Sequence, residues 1–314
     1  MNKSDSERMA VRLEKKGYQP IKKIERADLV LINVCSIRQS AVNRVYSRVK
    51  KIRFQKPKSK IILTGCILEK DKKKLKDQVD EIWPIINLKA KTKHQCSQSA
   101  FVPIMTGCDN FCSYCVVPHT RGREYSRPAQ EIIEEVNDLV KKGYKEITLL
   151  GQNVNSYQGQ NFPKLLKSIN NIPGNFQIKF MTSHPKDMSD KLIKTIAQSE
   201  KISKEIHLPI QSGDNEILKK MNRGYTVEDY KNLAKKIRQK IPKAEISTDI
   251  IVGFPSETKK QFQNTVNLVK EIGFCQIYAS AYSPRTNTAA AKLKDNVPSD
   301  EKKKRKRTVL EMIK

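Results

Sequence analysis

Between Phe101 and Ala281 the chain alternates apolar runs of strand length with amphipathic stretches of helix length, and this rhythm constrains the fold more than any other feature. Apolar runs at Phe101–Met105, Glu146–Leu150, Gln177–Met181, Glu205–Pro209, Glu245–Val252 and Gln276–Ala281 predict six strands. Between them, Ala129–Lys142, Phe162–Asn170, Ser189–Gln198, Asn215–Met221, Val227–Lys240 and Lys259–Ile272 predict helices. Strands that alternate with helices form a parallel sheet with right-handed crossovers. Eight such units close a barrel. Six predict an open, partial (β/α)6 barrel with its mouth at the carboxyl ends of the strands.

That mouth collects the unusual residues. The first strand leads into Met105-Thr-Gly-Cys108-Asp-Asn-Phe-Cys112-Ser-Tyr-Cys115, with its thiols spaced C-x-x-x-C-x-x-C. Such spacing brings three thiolates round one soft metal centre. A zinc site needs four ligands and usually pairs its cysteines as C-x-x-C. His119 follows four residues on, without a closing cysteine pair. Iron–sulfur clusters are ordinarily held by four cysteines. Three therefore predict a four-iron cluster with one iron open to a small molecule. A structural zinc knot or three unrelated core cysteines is the competing reading, but Gly107 and Tyr114 suit a cluster loop better.

The other strand ends carry Gly151-Gln152-Asn153-Val154-Asn155, Ser183-His184-Pro185, Gln211-Ser212-Gly213, Asp249 and Gly253-Phe254-Pro255. Small and amide residues let backbone approach a ligand and offer hydrogen bonds. Tyr114, Gly151, Gln152, Asn153, Ser183, Gln211 and Gly253 are accordingly expected to line a cofactor pocket. Ordinary strand-end turns are the plainer alternative.

Upstream lies a separate α/β pattern. Ser4-Asp-Ser-Glu7 reads as a capping box opening a helix that stops near Gly17. Leu29–Asn33 and Lys60–Thr64 are continuous apolar runs, as in buried parallel strands. A helix is expected over Gln39–Arg53, and another over Asp71–Gln78. Cys35 and Cys66 stand just beyond the two strands, where ligands of open α/β sheets bind, and are expected to be metal ligands. Buried free cysteine is common enough to leave a packing role open. The expected division is an open parallel α/β domain over residues 1–86, a polar linker over 87–100 and the barrel over 101–314. Cys96, in the linker, has no partner at ligand spacing.

Charge and composition narrow the partners. Sixty-one Lys and Arg against 33 Asp and Glu give a net charge of +28. Such an excess predicts a polyanionic partner through phosphate contacts; a generally Lys-rich composition is the alternative. The run Asp300-Glu-Lys-Lys-Lys-Arg-Lys-Arg307 reads equally as a solvated helix face or a tRNA contact. Mean hydropathy is −0.61. No apolar run is long enough to span a bilayer, and the first residues show no secretory signal. A cytoplasmic location is expected, and seven cysteines there predict metal or redox chemistry before disulfides.

The run from Phe101 through the three cysteines to Val116-Val-Pro-His-Thr-Arg-Gly-Arg-Glu-Tyr-Ser-Arg-Pro128 resembles the radical S-adenosylmethionine (SAM) methylthiotransferase family. Leu149–Tyr157, His207–Gly213, Met221-Asn-Arg-Gly-Tyr-Thr226 and Thr248–Glu257 are similar to it too, and Asp28–Arg38 resembles the family's N-terminal cluster domain. Thr120-Arg-Gly-Arg-Glu124 and Gly151–Asn155 point to the MiaB type, which modifies tRNA; the branch acting on threonylcarbamoyladenosine is the nearer competitor. The resemblance implies a transferase of sulfur-containing groups with two [4Fe-4S] clusters, one on Cys108, Cys112 and Cys115 and one on Cys35, Cys66 and a further cysteine. It implies that the first cleaves SAM to a 5′-deoxyadenosyl radical, which takes hydrogen from carbon 2 of N6-isopentenyladenosine beside the anticodon. The second supplies the sulfur, and a second SAM the methyl group. The implied partners are tRNA, an external electron donor and proteins of sulfur and cluster assembly, with the chain a monomer.

Two departures accompany the resemblance. The family's first N-terminal cysteine sits in a Gly-Cys-Gln-Met-Asn run, and Met1-Asn2 matches its last two residues. Its strand and cysteine are thus expected just upstream, through a misassigned start or a gene fragment. The family also ends in a small RNA-binding β-barrel, TRAM, which this chain stops before. A cluster-bearing tRNA-binding protein without full turnover is therefore the competing reading.

Overall fold

A computed structural model of the chain describes residues 1–88, 90, 92, 94 and 98–313. Cys96 lies outside the described residues. The N-terminal unit contains α1 (Asn2–Glu14), β1 (Leu29–Cys35), α2 (Gln39–Gln55), β2 (Lys60–Cys66), α3 (Glu69–Leu75) and β3 (Glu81–Ile82). Its strands are parallel in the order β1-β2-β3. Val45, Val49 and Ile52 share one face of α2, as residues three and four apart do, and they pack with Val34, Ile61 and Leu63. Each such aliphatic, once buried, stabilises the fold by about 1.5–3 kcal/mol. The register sets Cys35 directly opposite Cys66.

The start of α1 differs from the expected capping box. The helix already begins at Asn2, and neither Ser4 nor another side chain caps it. Ser4, Asp5, Glu7 and Arg8 are buried instead. Arg8 donates to Ser4 Oγ and to the carbonyl of Ala90, and Asn33 donates to the carbonyl of Asn2. Ser4 meets Arg8, one turn on, while Asp5 and Ser6 meet Arg121 and Asn33 from distant parts of the chain.

The barrel unit begins with β4 (Ser99–Pro103), which takes in the last two residues of the expected linker. The chain then leaves the sheet. β5 (Met105–Thr106) pairs antiparallel with β6 (Tyr125–Ser126), and this short ribbon encloses the cysteine loop and α4 (Val117–Arg121). There follow α5 (Ala129–Lys141), β7 (Glu146–Leu150), α6 (Phe162–Asn170), β8 (Gln177–Phe180), α7 (Asp190–Gln198) and β9 (Glu205–His207). The unit ends with α8 (Asn215–Lys220), α9 (Val227–Lys240), β10 (Glu245–Val252), α10 (Lys259–Ile272), β11 (Gln276–Ala281) and α11 (Ser299–Leu310).

Two parallel three-stranded sheets, β4-β7-β8 and β9-β10-β11, are joined by a parallel bridge between Ile178 and Ile202. The six strands thus follow one another round an arc. β11 and β4 do not pair, which leaves the partial barrel open. One continuous core of Ile, Leu, Val and aromatic side chains fills it. α11 corrects the picture of a wholly solvated basic face: Lys302 and Arg305 are buried, paired with Asp295 and with Glu257 and Glu301. Among the described residues no helix is long and apolar enough to cross a membrane.

Candidate active site at the barrel mouth

The cysteine loop is held by hydrogen bonds within its own ribbon and from the turn that follows α8. Gly107 adopts φ +76°, and a Cβ there would stand 2.0 Å from the Arg123 carbonyl oxygen, so only glycine lets the loop close. Cys108 N–H donates to Gly122 O at 3.3 Å, and Cys115 N–H to Cys112 O at 3.0 Å. Ser113 N–H reaches Met221 O at 3.0 Å, while Asn222 donates to the Phe111 carbonyl at 3.0 Å. Arg223, almost wholly buried, donates from Nη1 to Cys112 Sγ at 3.3 Å and lies 3.5 Å from the Tyr114 hydroxyl. Its other donors meet Tyr225 OH at 2.8 Å and Pro209 O at 2.9 Å. Burial pushes the Cys115 thiol up to about 12, with Val117 N–H opposing and Cys112 and Cys108 adding to the rise; Cys108 is raised by burial too. Buried in this way, Cys108 and Cys115 favour their neutral thiol forms in the absence of a positively charged partner.

The donor set fits an iron–sulfur cluster better than one zinc ion. Zinc–sulfur bonds of about 2.3 Å would gather the sulfurs tightly. No three His, Cys, Asp or Glu among the described residues are grouped so as to hold a single ion. A cluster, whose cysteines bind different irons, does not require them to converge on one point.

Beside Cys115 lies a cavity of about 290 Å³ lined by Tyr114, Gln211, Asp249, Tyr278 and Ser280, and also by Ile37 and Arg38 from the N-terminal unit. Of the residues expected to line a cofactor pocket, Tyr114 and Gln211 thus stand at this cavity with Cys115. Gln211 holds φ +74°, a conformation uncommon outside glycine and worth noting at a site. Gly151, Gln152 and Asn153 follow β7, and Ser183, after β8, donates to the His207 carbonyl. Gln152 Oε1, Asn153 Oδ1, both amide atoms of Asn155 and Glu124 Oε1 are buried without a partner. They leave hydrogen-bonding capacity for a polar ligand or water at that strand end. Gly253 faces elsewhere: a Cβ there would meet Lys302 Cγ at 2.4 Å, so its lack of a side chain serves the packing of α11.

Cys35 and Cys66 meet at the end of the N-terminal sheet. Gly65 adopts φ +93°, and a Cβ there would lie 2.2 Å from Asn33 Oδ1. Two arginines of the barrel unit reach this second centre. Arg121 donates from Nε to Cys66 Sγ at 3.1 Å and from Nη2 to Asp5 at 2.6 Å. Arg285 donates to Gln39 at 2.6 Å and faces Asp71 at 3.7 Å; burial lowers its pKa, with Asp71 the main opposing group. Burial pushes the Cys66 thiol up, while Arg121 opposes it. These arginines, and Arg223, carry no spacing signal; two of them lie in runs quoted above only for their resemblance. Sequence reading also passed over His207, whose ring nitrogens stand 3.0 Å from Ser247 Oγ and 3.2 Å from Asp249 Oδ2.

Residues 102–269 match the Radical SAM superfamily, and residues 1–86 match Uncharacterized protein family UPF0004. The chain is 43% identical over 357 aligned positions to a tRNA-2-methylthio-N(6)-dimethylallyladenosine synthase of Clostridium novyi, covering 100% of the chain and 78% of the relative. The chain belongs to this methylthiotransferase family. The Thermotoga petrophila member is 41% identical, covering 100% of the chain and 79% of that relative. Solved structures share the family's barrel fold at much lower identity. The radical S-adenosylmethionine methyltransferase TsrM from Kitasatospora setae matches with TM-score 0.60 and 13% identity, over 87% of this chain and 64% of that one. Coproporphyrinogen III oxidase (HemN) from Escherichia coli matches with TM-score 0.51 and 17% identity, over 69% and 51%. As a radical SAM methylthiotransferase, the chain uses a [4Fe-4S] cluster and SAM.

Proposed function

We propose that this methylthiotransferase adds a methylthio group to carbon 2 of N6-isopentenyladenosine beside the anticodon of tRNA. We further infer that the reaction runs between two domains, residues 1–86 and 101–314. The observation that carries the reading is the cavity lined by Cys115 on one side and by Ile37 and Arg38, two and three residues beyond Cys35, on the other. A base held there lies against Cys115 and against the segment that follows Cys35.

Cys108, Cys112 and Cys115 would hold the first [4Fe-4S] cluster, which when bound would supply the one-electron chemistry for reductive cleavage of SAM. Arg223 holds Cys112 and Tyr114 in place by the hydrogen bonds given above. Tyr114 and Gln211 line the SAM side of the cavity; Gly151, Gln152 and Asn153 after β7 and Ser183 after β8 are the further SAM contacts in this reading, and Gly253 keeps the loop after β10 close to α11. Walls of Ile250, Ile251 and Val116 exclude water from the reacting groups. Cys35 and Cys66 would be two of the ligands of a second cluster, the sulfur-supplying centre, with Arg121 against Cys66 and Arg285 against Asp71 beside it. The partners in this reading are tRNA, an electron donor and sulfur-delivering proteins, in the cytoplasm.

The test is anaerobic reconstitution with iron and sulfide, then incubation with SAM, reductant and tRNA carrying either isopentenyl- or threonylcarbamoyl-adenosine. Mass spectrometry of digested tRNA should find the methylthio nucleoside from the first substrate. Product from the threonylcarbamoyl substrate alone would move the chain to that branch, and 5′-deoxyadenosine without either product would refute the transfer.

A further inference from the structure

α4 is only five residues long, about 7.5 Å at 1.5 Å per residue. Both its ends are tied to the first centre. Val117 N–H, at its start, donates to Cys115 Sγ at 3.5 Å. Gly122, just past its end, accepts from Cys108 N–H at 3.3 Å. Thr120 Oγ1 bonds back to Val116 O at 3.1 Å and stiffens the turn. Its last residue, Arg121, leaves the barrel unit altogether and donates to Cys66 Sγ. The Arg121 side chain is 3% exposed, and the Asp5 side chain it pairs with is 4% exposed. It also reaches Asn2 Oδ1 at 3.2 Å, and its Nη1 is buried without a partner.

A buried ion pair is a poor source of stability, because apolar residues of similar size often do as well or better. What a guanidinium adds is a planar, rigid fork of donors with fixed directions. Here that fork grips one sulfur of the second centre from a helix anchored on two cysteines of the first. We propose that α4 is a strut setting the separation of the two cysteine centres, and that Arg121 is the positioning residue that fixes Cys66 in it. The role in transfer rests on the functional reading above, since the carbon activated at one centre must meet sulfur held at the other; the grip on Cys66 does not.

The test compares wild type with Arg121→Gln and with the double variant Asp5→Asn, Arg121→Gln, which leaves no unpaired buried charge should the single variant fail to fold. In iron-free protein, iodoacetamide labelling of Cys66 relative to Cys35, read by peptide mass spectrometry at the high-pH plateau where loss of the Arg121 charge no longer limits ionisation, should rise several-fold in both variants. In reconstituted protein, 5′-deoxyadenosine formation and iron content should stay within about twofold. Methylthio product per 5′-deoxyadenosine should fall about tenfold or more, as a misplacement of ~1 Å can cost about a hundredfold. A structural role alone would lower both products in parallel and leave their ratio unchanged. Unchanged Cys66 labelling, or an unchanged ratio, overturns the proposal. If wild type makes no methylthio product, the functional reading fails, and the labelling still decides whether Arg121 holds Cys66.

Discussion

Cys108, Cys112 and Cys115 come from one loop inside one hairpin, whereas Cys35 and Cys66 come from the ends of two paired strands and are gripped from another unit. In both centres a glycine with positive φ precedes a cysteine at a point of close backbone approach, Gly107 before Cys108 and Gly65 before Cys66. In both, a buried arginine donates to a cysteine sulfur, Arg223 to Cys112 and Arg121 to Cys66. The difference lies in where the arginine originates. Among the described residues the first centre takes its hydrogen bonds from the barrel unit, while the second gains Arg121 only where the two units are docked. The first centre can therefore act as a local device, and the second reports on the interface.

The largest test of that contrast is to remove one cysteine from each. Cys112→Ala should reduce 5′-deoxyadenosine formation by about 10²-fold or more, because the cluster carries that chemistry. Cys66→Ala should leave it within about twofold and abolish the methylthio product. Loss of SAM cleavage in both would merge the two centres into one.

The interface can be broken next. The Arg285 side chain is 1% exposed and faces Asp71, itself 3% exposed. Among the described residues, Arg285→Ala leaves a buried carboxylate with only Tyr46, at 2.8 Å, to satisfy it. Urea unfolding should show a loss of about 3–5 kcal/mol. Adding Asp71→Asn should restore much of it; no restoration would show that Arg285 acts by packing.

A milder change sharpens the first centre. Arg223→Lys keeps the charge and loses the fork, so the hydrogen bonds to Cys112, Tyr225 and Pro209 cannot all persist. Loss of such an outer partner typically costs about 10–100-fold. We expect iron to be retained, 5′-deoxyadenosine formation to fall about tenfold, and the cluster potential to move more negative in an anaerobic titration followed by electron paramagnetic resonance.

A pH effect follows from His184, behind Arg223. Burial, with the nearby charges of Arg223 and Lys186, lowers its pKa to about 2. The unfolded chain, with a pKa of about 6.5, takes up this proton first. His184 thus leaves stability intact above about pH 6.5 and removes up to about 1.4 kcal/mol per pH unit as pH falls below it. His184→Gln should flatten that part of the pH dependence of urea midpoints, and an unchanged slope would show that other groups dominate.

The smallest effect concerns α11. Lys303, Lys304 and Arg307 are its exposed cations. Changing all three to Gln should alter stability by less than about 0.5 kcal/mol each. If they meet phosphates, the salt dependence of tRNA binding should weaken by about 0.7–0.9 log units of slope for each phosphate no longer neutralised. An unchanged slope would place the nucleic-acid face elsewhere.

By itself, the sequence determined the local devices. The elements at Glu146–Leu150, Phe162–Asn170, Val227–Lys240, Glu245–Val252, Lys259–Ile272 and Gln276–Ala281 have the bounds that their apolar periodicity predicts. Burial on one face is written into neighbouring positions, so a short window suffices. The three-cysteine loop was legible for the same reason, since its ligands lie within a few residues of one another. Tertiary structure alone decided what depends on distant partners. It set Cys35 against Cys66 through the register of two strands, and turned the polar start of α1 inward onto Arg121 and Asn33. It drew Lys302 and Arg305 out of a run of solvent-facing charges onto Asp295 and Glu257. An arginine's role follows from which acceptor it meets across the fold, and no spacing in the chain encodes that meeting.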